Sequence, residues 1–365
     1  MREQVARIVE IGPVLSTSGF QVVGTTQIKR AQFLEGFGVQ WHGGIQPKIP
    51  PKRNHRAITG PQKIALSLPG ALPLDFLMSM TSSTIRVPAT TSNLGSGFDC
   101  MGIALQIYNW VTVRKSDKGG PLPQKDLMAQ EASSAFFHAA KKRPFGFQWK
   151  IRGEVPRSRG LGSSVTVRLG ILHGLNELAG EPLSREAVFR LCAELEGHAD
   201  NAAPAAFGGF ALVCPGSPLQ RYRVDAALEF VLLIPDFEVA TEQARKTLPK
   251  NVAWPDVVDS VARASAVAGA FASRDYAQLE GAFEDRLHQP HRKKFVPFLD
   301  EVISAGRAAG ALGGWLSGSG STVACATLEA PERVAAAMLS ASGLQRTTAI
   351  SARADNTGAR VQPVK

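Results

Sequence analysis

The sequence predicts an α+β fold, on three observations. Helical and strand-like segments follow one another in mixed order, without the strict alternation that a doubly wound parallel sheet requires. A chain of 365 residues with 44% apolar and 20% charged residues can bury a sizeable core, and its composition is that of an ordinary globular protein. No internal repeat is evident, which excludes a repeat architecture.

Taken in order, STIRVPAT after Met80 reads as a strand entering a Gly-rich turn, and NWVTVRK alternates as a second strand. DLMAQEASSAFFHAAKK carries apolar residues at helical spacing, and FQWKIRGEVP returns to strand. SSVTVRLGILHGLNELAG predicts a helix of about five turns closed by a glycine. SREAVFRLCAELEGHAD predicts another, with Ser184 as N-cap and Ala187 and Leu191 inward. ALEFVLLIPDF is a continuous apolar run suited to a buried strand. VVDSVARASAVAGAFASRD and VPFLDEVISAGRAAG are helical, and GGWLSGSGSTVACAT reads as strand, Gly turn, strand.

Residues 1–79 stand apart. They scatter Gly and Pro, include the basic cluster PKIPPKRNHR, and sustain neither a 3.6 nor a 2 period. The segment is expected to be a disordered leader or not part of the native chain, with Met78 or Met80 as the initiator. A targeting leader is the competing reading, weakened by Glu3 and Glu10. It holds nine Lys/Arg against four acids, a net +5, which leaves +5 of the chain's +10 for the other 286 residues. That mild excess suits an anionic small substrate, and no aromatic-interleaved basic groove argues for nucleic acid. The most apolar run, ALSLPGALPLDFLM from Ala65, is broken by two Pro and an Asp, short of the roughly 18 residues of a membrane span. A cytoplasmic protein with no membrane partner is expected. Cys100, Cys192, Cys214 and Cys325 are far apart, without zinc or redox spacing, and are expected to be buried reduced thiols.

The most informative stretch is PRSRGLGSSVTVRLGIL, from Pro156 to Leu172. It sets Gly and Ser directly before a helix, where unpaired N–H groups and the helix dipole favour an anion. Gly160 and Gly162 would let a phosphate touch backbone, Ser163 and Ser164 add hydroxyls, and Arg157 and Arg159 add charge. A merely capped turn with two convenient glycines is the competing reading. No Lys follows Gly162, so this is not a Walker loop, nor is it G-x-G-x-x-G.

PRSRGLGSSVT resembles the second motif of the GHMP kinases, P-x-x-x-G-L-G-S-S-A-A, which wraps ATP phosphates. VPATTSNLGSGFDCMGIAL (Val87 to Leu105) is similar to the first motif in the form homoserine kinases carry it. LSGSGSTVAC (Leu316 to Cys325) is similar to the third. EGHADNAAPAAFGGF, TEQARKTLP, QPHRKKFVP and DNTGARV also resemble homoserine kinases, in order, across residues 80–365. The resemblance implies a two-domain GHMP kinase fold. A nucleotide and substrate domain would span 80–240, and a smaller ferredoxin-like domain 241–365.

It also implies a reaction: transfer of the ATP γ-phosphoryl group to the hydroxyl of L-homoserine, with Mg²⁺. On the resemblance, Pro156, Arg157, Ser158, Arg159, Gly160, Leu161, Gly162, Ser163, Ser164, Val165 and Thr166 hold the nucleotide. Gly318 and Gly320 close over them, and Ser164 and Glu194 reach the metal, with Glu196 as the alternative. Asn93 and Asp99 sit at the substrate ammonium; Arg245 and Arg292 clamp its carboxylate. His198 and Asn201 fall near the reacting hydroxyl, with Thr241 as a lesser contact. No general base is implied, and Asp200 is not assigned as one. Two departures stand out. Ser321 replaces a Pro and is expected to loosen its loop, and Val165-Thr166 replace Ala-Ala and are expected to reduce room near the nucleotide. A homodimer is compatible with the resemblance. The rival readings are another GHMP small-molecule kinase and a non-catalytic basic protein acting through residues 1–79.

Overall fold

In chain order the strands are β1 (Ser82–Ser92), β2 (Met101–Lys115), β3 (Phe147–Gly153), β4 (Phe210–Leu212), β5 (Gln220–Tyr222), β6 (Glu229–Pro235), β7 (Gly313–Leu316), β8 (Val323–Thr327), β9 (Thr347–Arg353) and β10 (Arg360–Val361). The helices are α1 (Leu127–Ala140), α2 (Ser163–Leu178), α3 (Arg185–Glu196), α4 (Ala202–Phe207), α5 (Thr241–Lys246), α6 (Trp254–Ser273), α7 (Gln289–Arg292), α8 (Leu299–Ala308) and α9 (Pro331–Ser342). This computed structural model describes residues 81–116 and 126–363. The expectations about residues 1–79 lie outside the described residues.

Two antiparallel sheets carry the fold. The first runs β10-β1-β2-β4-β5, with β3 also paired to β2; the second runs β7-β8-β6-β9. The chain therefore enters the second sheet at β6 and returns to the first at its end, where Ile85 pairs with Val361. The mixture of helices and antiparallel strands is the α+β class that the unalternating pattern predicts.

Strand β2 begins eight residues before the expected NWVTVRK. Its first five residues are all buried, and alternation starts only near Leu105. A period of 2 shows where one face is wet, and it vanishes where both faces are covered. Helix α3 starts as predicted: Ser184 Oγ accepts the Ala187 N–H at 3.2 Å, and Gly197 closes it in the left-handed region.

Three apolar clusters fill the layers. Val111, Phe136, Leu169, Leu172, Leu175 and Val188 pack the first sheet against α1, α2 and α3. Val302, Cys325, Val334 and Met338 pack the second sheet against α8 and α9. Between the sheets lie Ile103, Leu105, Phe210, Phe230, Phe271 and Trp315. Trp315 Nε1 donates to Thr91 Oγ1 at 2.9 Å, so the polar edge of this buried ring is satisfied by the first sheet. Cys192 and Cys325 are buried free thiols, whereas Cys100 is half-buried and Cys214 exposed. The expectation of four buried thiols fails at Cys214 because its segment leaves β4 for a surface turn.

Candidate active site

The turn between β3 and α2 is clamped from both sides by the other two motifs. Thr90 N–H donates to Leu161 C=O at 3.2 Å, and Ser317 Oγ donates to Gly160 C=O at 2.6 Å. Gly160 and Gly162 have φ of 73° and 67°. A Cβ on Gly160 would meet Ser317 O at 2.0 Å, and one on Gly162 would meet Thr90 Oγ1 at 2.1 Å. The neighbouring chain by itself therefore requires both glycines, a reason additional to the expected approach of a phosphate. No side chain caps α2, whose first turn bond runs from Thr166 N–H to Gly162 C=O. The amides ahead of Thr166 have no intrahelical acceptor and offer positive charge to an anion.

These elements border a cavity of about 820 Å³. Arg157, Ser158, Gly160, Gly162, Ser163, Ser164 and Val165 line it, as do Asn93, Asp99, His198, Asn201, Thr241, Arg245, Arg292 and Gly318. Five of the residues expected at the nucleotide do not: Pro156, Arg159, Leu161, Thr166 and Gly320. Leu161 is in the core between the sheets. Arg159 turns to Pro235 C=O and to Asp236, and Thr166 is fully buried with its hydroxyl between Asn109 Nδ2 and Ser163 C=O. Thr166 thus takes no room from the cavity. Ser321 is tied to the rest of the protein, its buried hydroxyl donating to Phe237 C=O at 2.7 Å.

Of the two carboxylates expected at the metal, Glu194 and its alternative Glu196, one lines the cavity. Glu194 is exposed on α3, whereas Glu196 lines the cavity with its side chain 6% exposed. Ser164 Oγ donates to Glu196 Oε2 at 2.8 Å, and Arg168 Nη1 donates to Glu196 Oε1 at 2.5 Å. Two residues along a helix rotate a side chain by about 200°, so Glu194 and Glu196 cannot face one site.

At the opposite end Arg245 forms a bidentate pair with Asp99, at 2.8 and 2.7 Å. The Arg245 guanidinium is held more basic than usual, chiefly by that hydrogen bond. Asn93 fixes the loop that carries Asp99: its Oδ1 accepts the Asp99 N–H, and its Nδ2 donates to Gly318 C=O. Arg292 is 2% exposed and donates to Gly318 C=O and to His288 Nδ1. Burial, and then the like charge of Arg245, lower its pKa to about 10. Asp285 positions Arg292 from behind, accepting the backbone N–H groups of Leu287, His288 and Gln289 at the start of α7.

The middle of the cavity holds a connected set. His198 Nδ1 lies 2.6 Å from Asp200 Oδ1, and Asp200 also accepts the Asn201 N–H. The hydrogen bond to Asp200 raises the His198 pKa against the effect of burial. Burial would raise Asp200, but the bond and charge of His198 bring it below the usual carboxylate range. Asn201 Oδ1 accepts from Thr90 Oγ1 at 2.7 Å, and its Nδ2 donates to Ser92 Oγ at 2.8 Å, so its amide orientation is fixed. Thr241 Oγ1 is 3.4 Å from Ser319 Oγ.

Residues that no motif singled out complete the lining. Phe98 lies under both guanidiniums, 5.7 Å from that of Arg245 and 5.1 Å from that of Arg292. Its place beside Asp99 in the sequence was the available signal. Beyond the Gly-Ser turn, Trp149 and Asp126 line the same cavity, joined by a 2.6 Å hydrogen bond; nothing in their local sequence marks them.

Residues 128–209 match the family model GHMP kinases N terminal domain, and residues 267–343 match GHMP kinases C terminal. The homoserine kinase of Caldicellulosiruptor bescii is 38% identical over 253 residues, which cover 66% of this chain and 82% of its own. That of Halothermothrix orenii is 36% identical over 277 residues, 71% of this chain and 89% of its own. Among solved structures, the homoserine kinase of Cytophaga hutchinsonii superposes with a TM-score of 0.71 at 25% identity, over 78% of this chain and 98% of its own. A mevalonate kinase shares the fold at a TM-score of 0.58 and 13% identity, over 74% of this chain and 98% of its own.

Proposed function

The chain belongs to the homoserine kinases of the GHMP kinase family, and on that premise we propose that it transfers the γ-phosphoryl group of ATP to the side-chain hydroxyl of L-homoserine. The products are O-phospho-L-homoserine and ADP, which gives the chain a step in threonine biosynthesis. The observation that carries this reading is one cavity with complementary ends: uncapped amides of α2 at one, and Asp99, Arg245 and Arg292 at the other.

Phosphoryl transfer needs positioning and charge neutralisation more than covalent help. The α2 amides, Ser163 and Arg157 bind the phosphates. Ser164 and Glu196 present neighbouring oxygens, a donor set that suits Mg²⁺, which takes one or two protein oxygens together with substrate phosphates. When bound, Mg²⁺ neutralises charge on the phosphates. Asp99 and Asn93 receive the substrate ammonium, and Arg245 and Arg292 its carboxylate. His198 and Asn201, each held by fixed partners, orient the hydroxyl, with Thr241 at the rim. Asp200 serves His198 and Asn201 and is not the base; the hydroxyl proton passes to a phosphate oxygen.

The reading extends to organisation. An N-terminal domain from about residue 80 and a C-terminal domain ending at 365 work together, and the second sheet, which begins with β6, supports a boundary slightly before 240. The protein acts in the cytoplasm as a homodimer. Free cysteines agree with a reducing compartment, and among the described residues no helix is long and apolar enough to cross a membrane. The test is a panel of homoserine, threonine, serine, mevalonate and galactose with MgATP, measuring ADP release. Homoserine should give the highest kcat/KM; faster turnover of mevalonate or galactose overturns the reading.

A further inference from the structure

One carboxylate of the cavity wall is held by two residues of a single helix. Glu196 accepts from Ser164 Oγ through Oε2, at 2.8 Å, and from Arg168 Nη1 through Oε1, at 2.5 Å. Ser164 and Arg168 are four residues apart on α2, so they stand one turn apart on the same side of it. The other end of Arg168 is also fixed, with Nη2 donating to Glu131 Oε2 on α1 at 2.8 Å. The guanidinium thus joins α1, α2 and α3, and its side chain is mostly buried. Neither Arg168 nor Glu131 lines the cavity, so Arg168 reaches it through Glu196.

Glu196 is the last residue of α3, and Gly197 after it turns the chain away at a φ of 75°. A glutamate left free at such an end samples many rotamers and can turn both oxygens to a cation. Here one oxygen is committed to a guanidinium and the other faces Ser164. We infer that Arg168 is a positioning residue that makes Glu196 a one-oxygen ligand and so sets which divalent cation the site accepts, an inference that rests on Ser164 and Glu196 being the pair that holds the metal. Mg²⁺ is small, demands octahedral geometry and is bound by one or two carboxylates beside substrate phosphates. Ca²⁺ takes about six to eight oxygens and readily accepts both from one carboxylate. By withholding Oε1, Arg168 denies Ca²⁺ that second contact. Its positive charge repels the two cations alike, so the discrimination comes from geometry and not from charge.

The test uses the full chain in complex with ADP and does not depend on turnover. Mn²⁺ bound to that complex, followed by its electron paramagnetic resonance signal, is displaced by Mg²⁺ or by Ca²⁺. The ratio of the two displacing concentrations is then compared between variants. Arg168→Met keeps an unbranched apolar stem and removes the guanidinium. An added oxygen contact is worth on the order of one hydrogen bond, so the ratio should move about fivefold in favour of Ca²⁺. Arg168→Lys, which keeps a cation beside Oε1, should restore the wild-type ratio. Arg168→Gln is the second variant, should Arg168→Met fail to fold. A ratio that stays at the wild-type value while both affinities move together overturns the inference and leaves Arg168 a charge or folding element. Glu196→Gln separates the two levels: an unchanged Mn²⁺ affinity in the ADP complex removes Glu196 from the metal and takes the inference with it.

Discussion

Arg245 donates to both carboxylate oxygens of Asp99, at 2.8 and 2.7 Å, across 146 residues of chain. Each group thus holds the charge opposite to its own, and homoserine carries the same two charges. On the proposed reading, binding would exchange partners: the ammonium would take the place of the guanidinium at Asp99, and the carboxylate that of Asp99 at Arg245. Neither side chain would then be left uncompensated before or after. Replacing Arg245 by Ala should raise the homoserine KM at least tenfold with the ATP KM unchanged, because a charge-assisted hydrogen bond contributes about 1.5–3 kcal/mol. Initial rates at saturating ATP check this, and an unchanged KM removes Arg245 from the site.

Glu196 and Glu194 are separated by the same logic of position. Glu196→Gln should move the Mg²⁺ concentration for half-maximal rate upward, while Glu194→Gln, on the exposed face of α3, should leave the titration as it is. A shift with Glu194→Gln alone would reverse the assignment.

Phe98 lies beneath two like charges, with both guanidiniums over its ring. A cation–π contact at a partly exposed site contributes about 0.5–1 kcal/mol, and two such contacts are lost in Phe98→Leu. The expected result is a homoserine KM raised about 5- to 30-fold with kcat little changed, and Phe98→Tyr close to wild type. A fall in kcat at constant KM would point instead to a role in the chemistry.

His288 supplies a pH dependence. It is fully buried, with Nε2 2.9 Å from Gly95 C=O and Nδ1 facing Arg292 Nη1 at 3.2 Å, a pattern that requires the neutral Nε2–H tautomer. Burial lowers its pKa to about 4; Asp285 opposes the shift and Arg292 adds to it. The unfolded chain takes up a proton near pH 6.5, so this contribution is complete above that pH and is lost as pH falls toward 4. The loss is at most roughly 3 kcal/mol. Thermal melts from pH 7.5 to 4 should therefore fall less steeply for His288→Gln than for wild type. Parallel curves would exclude it.

Local signals in the sequence carried far, and long-range pairing did not. The Ser184 cap, the Gly-Ser turn before α2 and the β7–β8 hairpin were legible because each is decided within a few residues. A motif gives spacing along the chain but not the rotation of a helix end, so the sequence points to Glu194 ahead of Glu196. The Asp99–Arg245 pair, the packing of Ser317 and Thr90 against the two glycines, and the start of β2 at Met101 all depend on elements distant in sequence. Phe98 stands beside Asp99 in the sequence, yet nothing local says that two arginines converge on it.

The closing strand β10 lies against β1, with Gln362 N–H donating to Thr84 C=O, and the nearby Asp355 is gripped by Arg86 and Tyr108. During synthesis β1, the first strand among the described residues, leaves the ribosome some 270 residues before β10 is made, so the edge that β10 covers lacks that partner through translation of almost everything between. Truncations that spare every cavity-lining residue but remove the last few amino acids should therefore yield aggregation-prone nascent chains, the hazard of an open sheet edge.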